Sequence, residues 1–196
     1  MTQLQRPLHF KEATLGDLAL IMEMEASGFA PGNRERQEVY AQRIACFPQG
    51  SLLAYVGSSC VGCFFSEIWQ FTPSPGAECF TLGHAIEERH DPLGGTELYI
   101  SSMTLAPTFR GQGLGPSLFA GGIGQVAACY PQLTSALLLV NESWQSARKI
   151  YAAAGFQELA QLKDFFAPRQ GLREDGIVMR REIAPAALPS RPTLVD

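Results

Sequence analysis

No stretch of this 196-residue sequence is apolar for long enough to cross a bilayer, and only 17% of its residues are charged. The first absence excludes a helical membrane span. The second, with a formal net charge of −4, leaves too few clustered cations for nucleic acid to be a main partner. Disulfide-rich patterning is missing as well. The five cysteines are Cys46, Cys60, Cys63, Cys79 and Cys129, an odd set that fits a reducing cytoplasm. Cys60 and Cys63 have C-x-x-C spacing, but no second Cys pair or adjacent His completes a metal site, so both read as small apolar residues. No apolar stretch follows the N-terminal residues, so no signal peptide is expected. Repeats and linkers are absent too. What is present is 46% apolar residues, enough for one folded domain. It is expected to cover residues 1–184, followed by a flexible tail from Pro185 with Pro189 and Pro192.

Periodicity predicts the elements. Thr14 and Asp17 form a capping box ahead of a helix in which Leu18, Ile21, Met22 and Glu25 follow helical spacing. A second helix is predicted over residues 34–46, with Val39, Arg43 and Cys46 on one face and Pro48 as its stop. Residues 52–56 and 61–69 read as a hairpin around Gly57-Ser58-Ser59. Residues 71–95 form a long connection rich in Pro and Gly, with a short helix over residues 85–88; such loops tend to be functional or disordered. A strand over residues 97–105, a helix over residues 114–129, a buried strand over residues 135–140 and a helix closed by Gly155 come next. Two last strands are expected over residues 156–162 and 176–182.

The chemistry centres on Arg110-Gly111-Gln112-Gly113-Leu114-Gly115, between a strand and a helix. Glycines there allow a tight turn and let a ligand approach the backbone N–H groups. The helix start adds unpaired donors and partial positive charge, which suits a phosphate or pyrophosphate. Arg110 adds a formal charge. By itself such a turn also serves simple strand-to-helix packing.

These residues in this order resemble the GCN5-related N-acetyltransferase (GNAT) superfamily. The Arg110–Gly115 segment matches its pyrophosphate motif, Gln/Arg-x-x-Gly-x-Gly/Ala. Residues 98–105 with Ala106-Pro107 are similar to its fourth strand. Ala147, Tyr151 and Ala154-Gly155-Phe156 are similar to its Ala-x-x-x-Tyr-x-x-x-Gly-Phe ending. Glu12-Ala13-Thr14, Asp17 and Val61-Gly62 fit its N-terminal half, so the resemblance spans residues 10–181. Neither a Gly-Lys-Ser/Thr nor a Rossmann acidic residue competes.

The resemblance implies a mixed α/β fold: a central, largely antiparallel twisted sheet flanked by helices, with strands 4 and 5 splayed around acetyl-CoA. Met103, Thr104 and Leu105 would meet the pantetheine arm, and Arg110, Gly111, Gln112, Gly113, Leu114 and Gly115 the pyrophosphate. Trp144 stands where the superfamily often carries an Asn, so Asn141 or Ser143 would take over that contact. Tyr151 occupies the position of the superfamily's tyrosine acid; the plain alternative is a core aromatic. Glu97 resembles the base of the histone-acetylating branch, or is a solvated residue at a strand start. Gly113-Leu114-Gly115-Pro116 also resembles the arylalkylamine branch, but Tyr99 and Ser101 replace its paired histidines. His84 and His90 lie in the variable loop, where they either reach a substrate or sit on the surface. Trp69, Phe64, Phe65, Phe71 and Phe80 are candidates for an acceptor pocket or for the core. The implied activity is acetyl transfer from acetyl-CoA to a primary amine on a small molecule, by direct attack in a ternary complex. A protein lysine or N-terminus as acceptor, and a non-catalytic acetyl-CoA-binding module, are the alternatives. No metal is needed, and a homodimer is compatible with the sequence.

Overall fold

Side chains of successive strand residues point to opposite faces of a sheet, and in this protein both faces are covered. The strand β3 (Ser59–Trp69) illustrates the consequence. Phe64 packs on one face with Leu118 and Phe119, whereas Phe65 packs on the other with Ile21 and Tyr40. A strand covered on both sides has no polar face, and its run is therefore almost wholly apolar.

The computed structural model describes residues 7–169 and 171–183; the tail expected from Pro185 lies outside the described residues. Among the described residues, β3 is joined by β1 (His9–Glu12), β2 (Ser51–Val56), β4 (Glu97–Leu105), β5 (Ser135–Asn141), β6 (Gln157–Arg169) and β7 (Leu172–Glu182). They form one sheet in the order β1-β2-β3-β4-β5-β7-β6. Every neighbouring pair is antiparallel except β4 and β5. A parallel pair needs a crossover, which α3 (Leu114–Cys129) supplies. With α4 (Gln145–Ala153), α3 covers the Phe64 face, while α1 (Leu18–Gly28) and α2 (Gln37–Cys46) cover the other.

Three differences from the sequence reading affect the site. The helix expected over residues 34–46 begins only at Gln37. Arg34 is extended, and its guanidinium donates to the carbonyls of Ala26 and Phe29, capping the end of α1. The final hairpin is longer than expected: β6 runs on to Arg169 through register shifts, carrying Phe165 and Phe166 over the sheet. The long connection is tied down rather than loose, since Ile86 is buried and His90 Nδ1 accepts the Ile68 N–H at 3.0 Å.

Candidate active site

Parallel pairing of β4 with β5 runs from Glu97↔Ser135 to Ile100↔Leu138 and then ends. Against β3, the register slips at the same level: Phe65 pairs with Ser102 but Ser66 with Ile100. Ser101 is therefore the extra residue of a β-bulge, which leaves backbone groups unpaired and sharpens the local twist. Parting and bulge together open a cleft of about 550 Å³, whose walls include Met103, Thr104, Leu105, Val140, Ser143 and Tyr151.

One lip of the cleft is the turn before α3. Gly113 caps the helix with φ 75°, and Gly111 has φ 73°. That left-handed region costs other L-residues about 1–2 kcal/mol. A Cβ at either glycine would meet nothing within 4 Å, so the backbone there faces open space. Gly115 is the opposite case, since its Cβ would lie 2.8 Å from Ile150 Cδ1 on α4. The first turn of α3 thus abuts α4 while its N–H groups stay open. Ser101 Oγ and Thr104 Oγ1, on residues lining the cleft, are buried without a hydrogen-bond partner among the described residues. Open amides at a helix start, two unzipped strand edges and these orphaned hydroxyls fit an elongated ligand with a diphosphate at one end.

Several expected contacts take other forms. The Arg110 guanidinium donates to Leu105 O at 3.0 Å, Ser27 O at 3.2 Å and Ser27 Oγ at 2.9 Å, tying the turn to α1. The side chain of Gln112 holds the turn through Thr108 O, leaving its backbone to face outward. Asn141 is fully buried: it accepts the Ser143 N–H at 2.8 Å and donates to Glu174 at 2.7 Å. It shapes the turn, and Ser143 reaches the cleft instead. Tyr151 lines the cleft with its ring 4.7 Å from Phe119. Burial pushes its pKa up to about 12, so the phenol keeps its proton.

A second cavity, of about 360 Å³, shares Phe29, Ser101, Ser102, Leu139 and Trp144 with the cleft. Its polar wall is a buried network. Glu25 on α1 accepts the Glu35 N–H at 2.8 Å and the Tyr40 hydroxyl at 2.7 Å. Burial raises the Glu25 pKa against those hydrogen bonds. Arg43 donates to Glu67 at 3.2 Å and to Glu35 at 3.3 Å. Trp69 Nε1 also donates to Glu67, at 2.9 Å. Both ring nitrogens of His84 face acceptors at 3.0 Å, Thr81 O and the Glu67 carboxylate, an arrangement that suits the imidazolium. Burial alone would lower the His84 pKa, but the hydrogen bond and charge of Glu67 outweigh it and the net shift is upward. Burial likewise acts to raise Glu67, yet His84 and Arg43 hold it below the usual carboxylate range.

Glu97 is not brought to this site. It lies at the paired end of β4, about 10 Å of strand before the parting. It is 1% exposed, accepting from Arg180 Nε at 2.6 Å and Ser135 Oγ at 2.8 Å. Together with Arg89 and His90 it borders a separate hollow. His84 is no surface histidine, being buried in the wall of the second cavity. Of the aromatic candidates, Phe80 borders the cavity, Phe64 and Phe65 are core, and Phe71 is exposed. Glu25, Tyr40, Arg43 and Glu67 were not singled out as site residues from the sequence. Their signal was a charged residue on an apolar face: Arg43 beside Val39, and Glu67 inside the apolar β3. Among the described residues, no group of three His, Cys, Asp or Glu could hold a metal ion.

A seven-stranded sheet of this order, parting between β4 and β5 beside a glycine-rich helix start, is the GNAT fold. Solved structures agree. The loading GNATL domain of CurA from Lyngbya majuscula superposes with a TM-score of 0.72 at 13% identity, covering 89% of this chain and 97% of that one. Ard1 from Thermoplasma volcanium gives 0.67 at 16% identity, covering 90% and 98%. Arabidopsis thaliana Naa50, solved with the bisubstrate analogue CoA-Ac-MVNAL, gives 0.63 at 18% identity, covering 90% and 99%. No family model matches the sequence, and no curated protein matches it. These likenesses define the fold; the chemistry rests on the site's own residues.

Proposed function

We propose that this chain transfers an acetyl group from acetyl-CoA to a primary amine on a small molecule, by direct attack in a ternary complex. The observation that carries this reading is the junction of two cavities at Ser101 and Ser102: an elongated cleft with a diphosphate-type lip meets there a smaller, half-open hollow with aromatic walls. Solved neighbours of the same fold include a complex with a CoA-peptide analogue, which supports a CoA thioester as donor. A hollow of about 360 Å³ suits a small acceptor rather than a protein surface.

Acetyl-CoA supplies an activated acetyl thioester, and the free amine displaces its thiolate. The amides of Gln112, Gly113 and Gly115 at the α3 start hold the diphosphate, and Met103, Thr104 and Leu105 line the pantetheine arm. A backbone N–H left unpaired by the Ser101 bulge would serve the charge developing on the carbonyl oxygen. One such fixed donor is worth about 2.7–4 kcal/mol of transition-state stabilisation. Glu25 takes the base role in place of Glu97. It borders the acceptor cavity, and its raised pKa lets it accept the amine proton nearer neutral pH. Tyr151 acts as a held donor: a phenol at about 12 hydrogen-bonds the departing thiolate and keeps its own proton. The C–N bond forms, the C–S bond breaks, and the amine proton leaves on Glu25.

Thiol release across a panel of small amines and peptides tests the reading. Turnover with small amines that outpaces peptides is expected, and the Glu25→Gln variant should lose roughly 10²-fold or more in kcat with the acidic limb of its pH–rate profile displaced. Acetyl-CoA binding without turnover of any acceptor overturns the enzyme reading.

A further inference from the structure

One arm of a buried cation has no partner. Arg43 is 2% exposed, with Nε donating to Glu67 and Nη2 to Glu35, while Nη1 has no hydrogen-bond partner among the described residues. A guanidinium carries five N–H donors and keeps its charge at any ordinary pH, so Nη1 leaves two donors unsatisfied. Arg43 borders the hollow assigned above to the acceptor. Ser101 Oγ, a second donor without a partner, borders the same hollow where it meets the cleft.

The carboxylates at hand are already engaged. Glu67 serves Arg43, His84 and Trp69; Glu35 serves Arg43 and the Gly83 N–H; Glu25 serves the Glu35 N–H and Tyr40. The charges also leave room for an anion. Arg43 and a protonated His84 offset Glu35 and Glu67, so these four groups carry no net negative charge that would repel one. The remaining wall is aromatic, with Phe29, Tyr99, Trp144 and Phe165. Among the described residues none of these groups accepts from Nη1.

We propose that the hollow takes an amine whose apolar, ring-sized body also bears a carboxylate, and that the free arm of Arg43 binds that carboxylate. The proposal rests on reading the hollow as the acceptor site. Ionised donor–acceptor pairs make the stronger hydrogen bonds, so a carboxylate is selected over a neutral amide of the same shape. A pocket built to hydrogen-bond one ligand group also discriminates strongly against ligands lacking it.

The test separates binding from turnover. Calorimetry of the full chain saturated with CoA compares 3-phenylpropanoate with 3-phenylpropanamide, two probes of nearly one shape that cannot be acetylated on an amine. The carboxylate is expected to bind at least about tenfold more tightly. The preference should vanish in Arg43→Lys, which keeps a cation for Glu67 and Glu35 but loses the free arm, with CoA binding as the check on folding. If Arg43→Lys does not fold, the wild-type ratio decides alone. Equal affinities, a preference for the amide, or no binding of either probe overturns the proposal. Thiol release with phenylalanine against phenethylamine reports on acetyl transfer separately. Silence with both amines, alongside a retained carboxylate preference, sinks acetyl transfer and leaves the carboxylate site standing.

Discussion

At the scale of single residues, the site is governed by where burial leaves a proton. Tyr151 is buried against Phe119, and its raised pKa makes the hydroxyl a lasting donor facing the cleft. Tyr151→Phe removes that donor but keeps the ring packing. Its kcat is expected to fall roughly 10²-fold with the affinity for CoA unchanged, as read from turnover beside a calorimetric titration. An unaltered kcat would return Tyr151 to a packing role only. The position was legible from sequence, because Ala147, Tyr151 and Gly155-Phe156 carry a spaced pattern. The proposed base, Glu25, was not legible. Glu25 and Glu97 are both glutamates in regular elements, and only the chain's path decides which one is locked to Arg180 and which one borders the cavity that meets the cleft.

Elements are held by turn geometry and by charge. At the α3 start, Gly113→Ala introduces a Cβ into open space but at φ 75°. The expected loss is about 1–2 kcal/mol in urea unfolding, together with weaker CoA binding as the amides shift. The loop over residues 81–91 is clamped to β3 by His84 on Glu67. Because the folded His84 pKa is raised, its contribution is complete below the ordinary histidine value near ~6.5 and disappears as pH rises through the folded value. The Glu67 pKa is depressed, so its contribution is present above ~4.3 and is lost as pH falls through the folded value. Urea midpoints should therefore decline as pH rises above ~6.5 more in the wild type than in His84→Gln. Glu67→Gln leaves Arg43 and His84 facing a neutral partner in the interior, and about 3–5 kcal/mol of stability is expected to go. Matching alkaline slopes in wild type and His84→Gln would show that the clamp is not ionic.

For the whole molecule, the cleft is a seam where the sheet has given up pairing. β4 and β5 share only four paired positions, Glu97↔Ser135 to Ile100↔Leu138, and the two halves are otherwise joined through helices and side chains. A ligand lying in that seam bridges both halves and binds only the folded chain. At a CoA concentration of 100 Kd, linkage gives about 2.7 kcal/mol of added stability. For a domain of this size that corresponds to a rise in Tm of about 5–10 °C, measurable by scanning calorimetry. A Tm that ignores CoA would remove the cleft as its site.

The sequence by itself determined most of the helices and strands and the glycine-rich helix start, because strand-forming runs, helical spacing and turn glycines are local demands written in neighbouring residues; the largely antiparallel sheet was implied by the resemblance to the GNAT superfamily. Only the tertiary structure decided the buried charged network beside the cleft. Glu25, Arg43, Glu67 and His84 come from two helices, a strand and a loop, and their charges acquire meaning only when folding takes them out of water together. Local spacing cannot encode that meeting, since what each group becomes depends on partners tens of residues away.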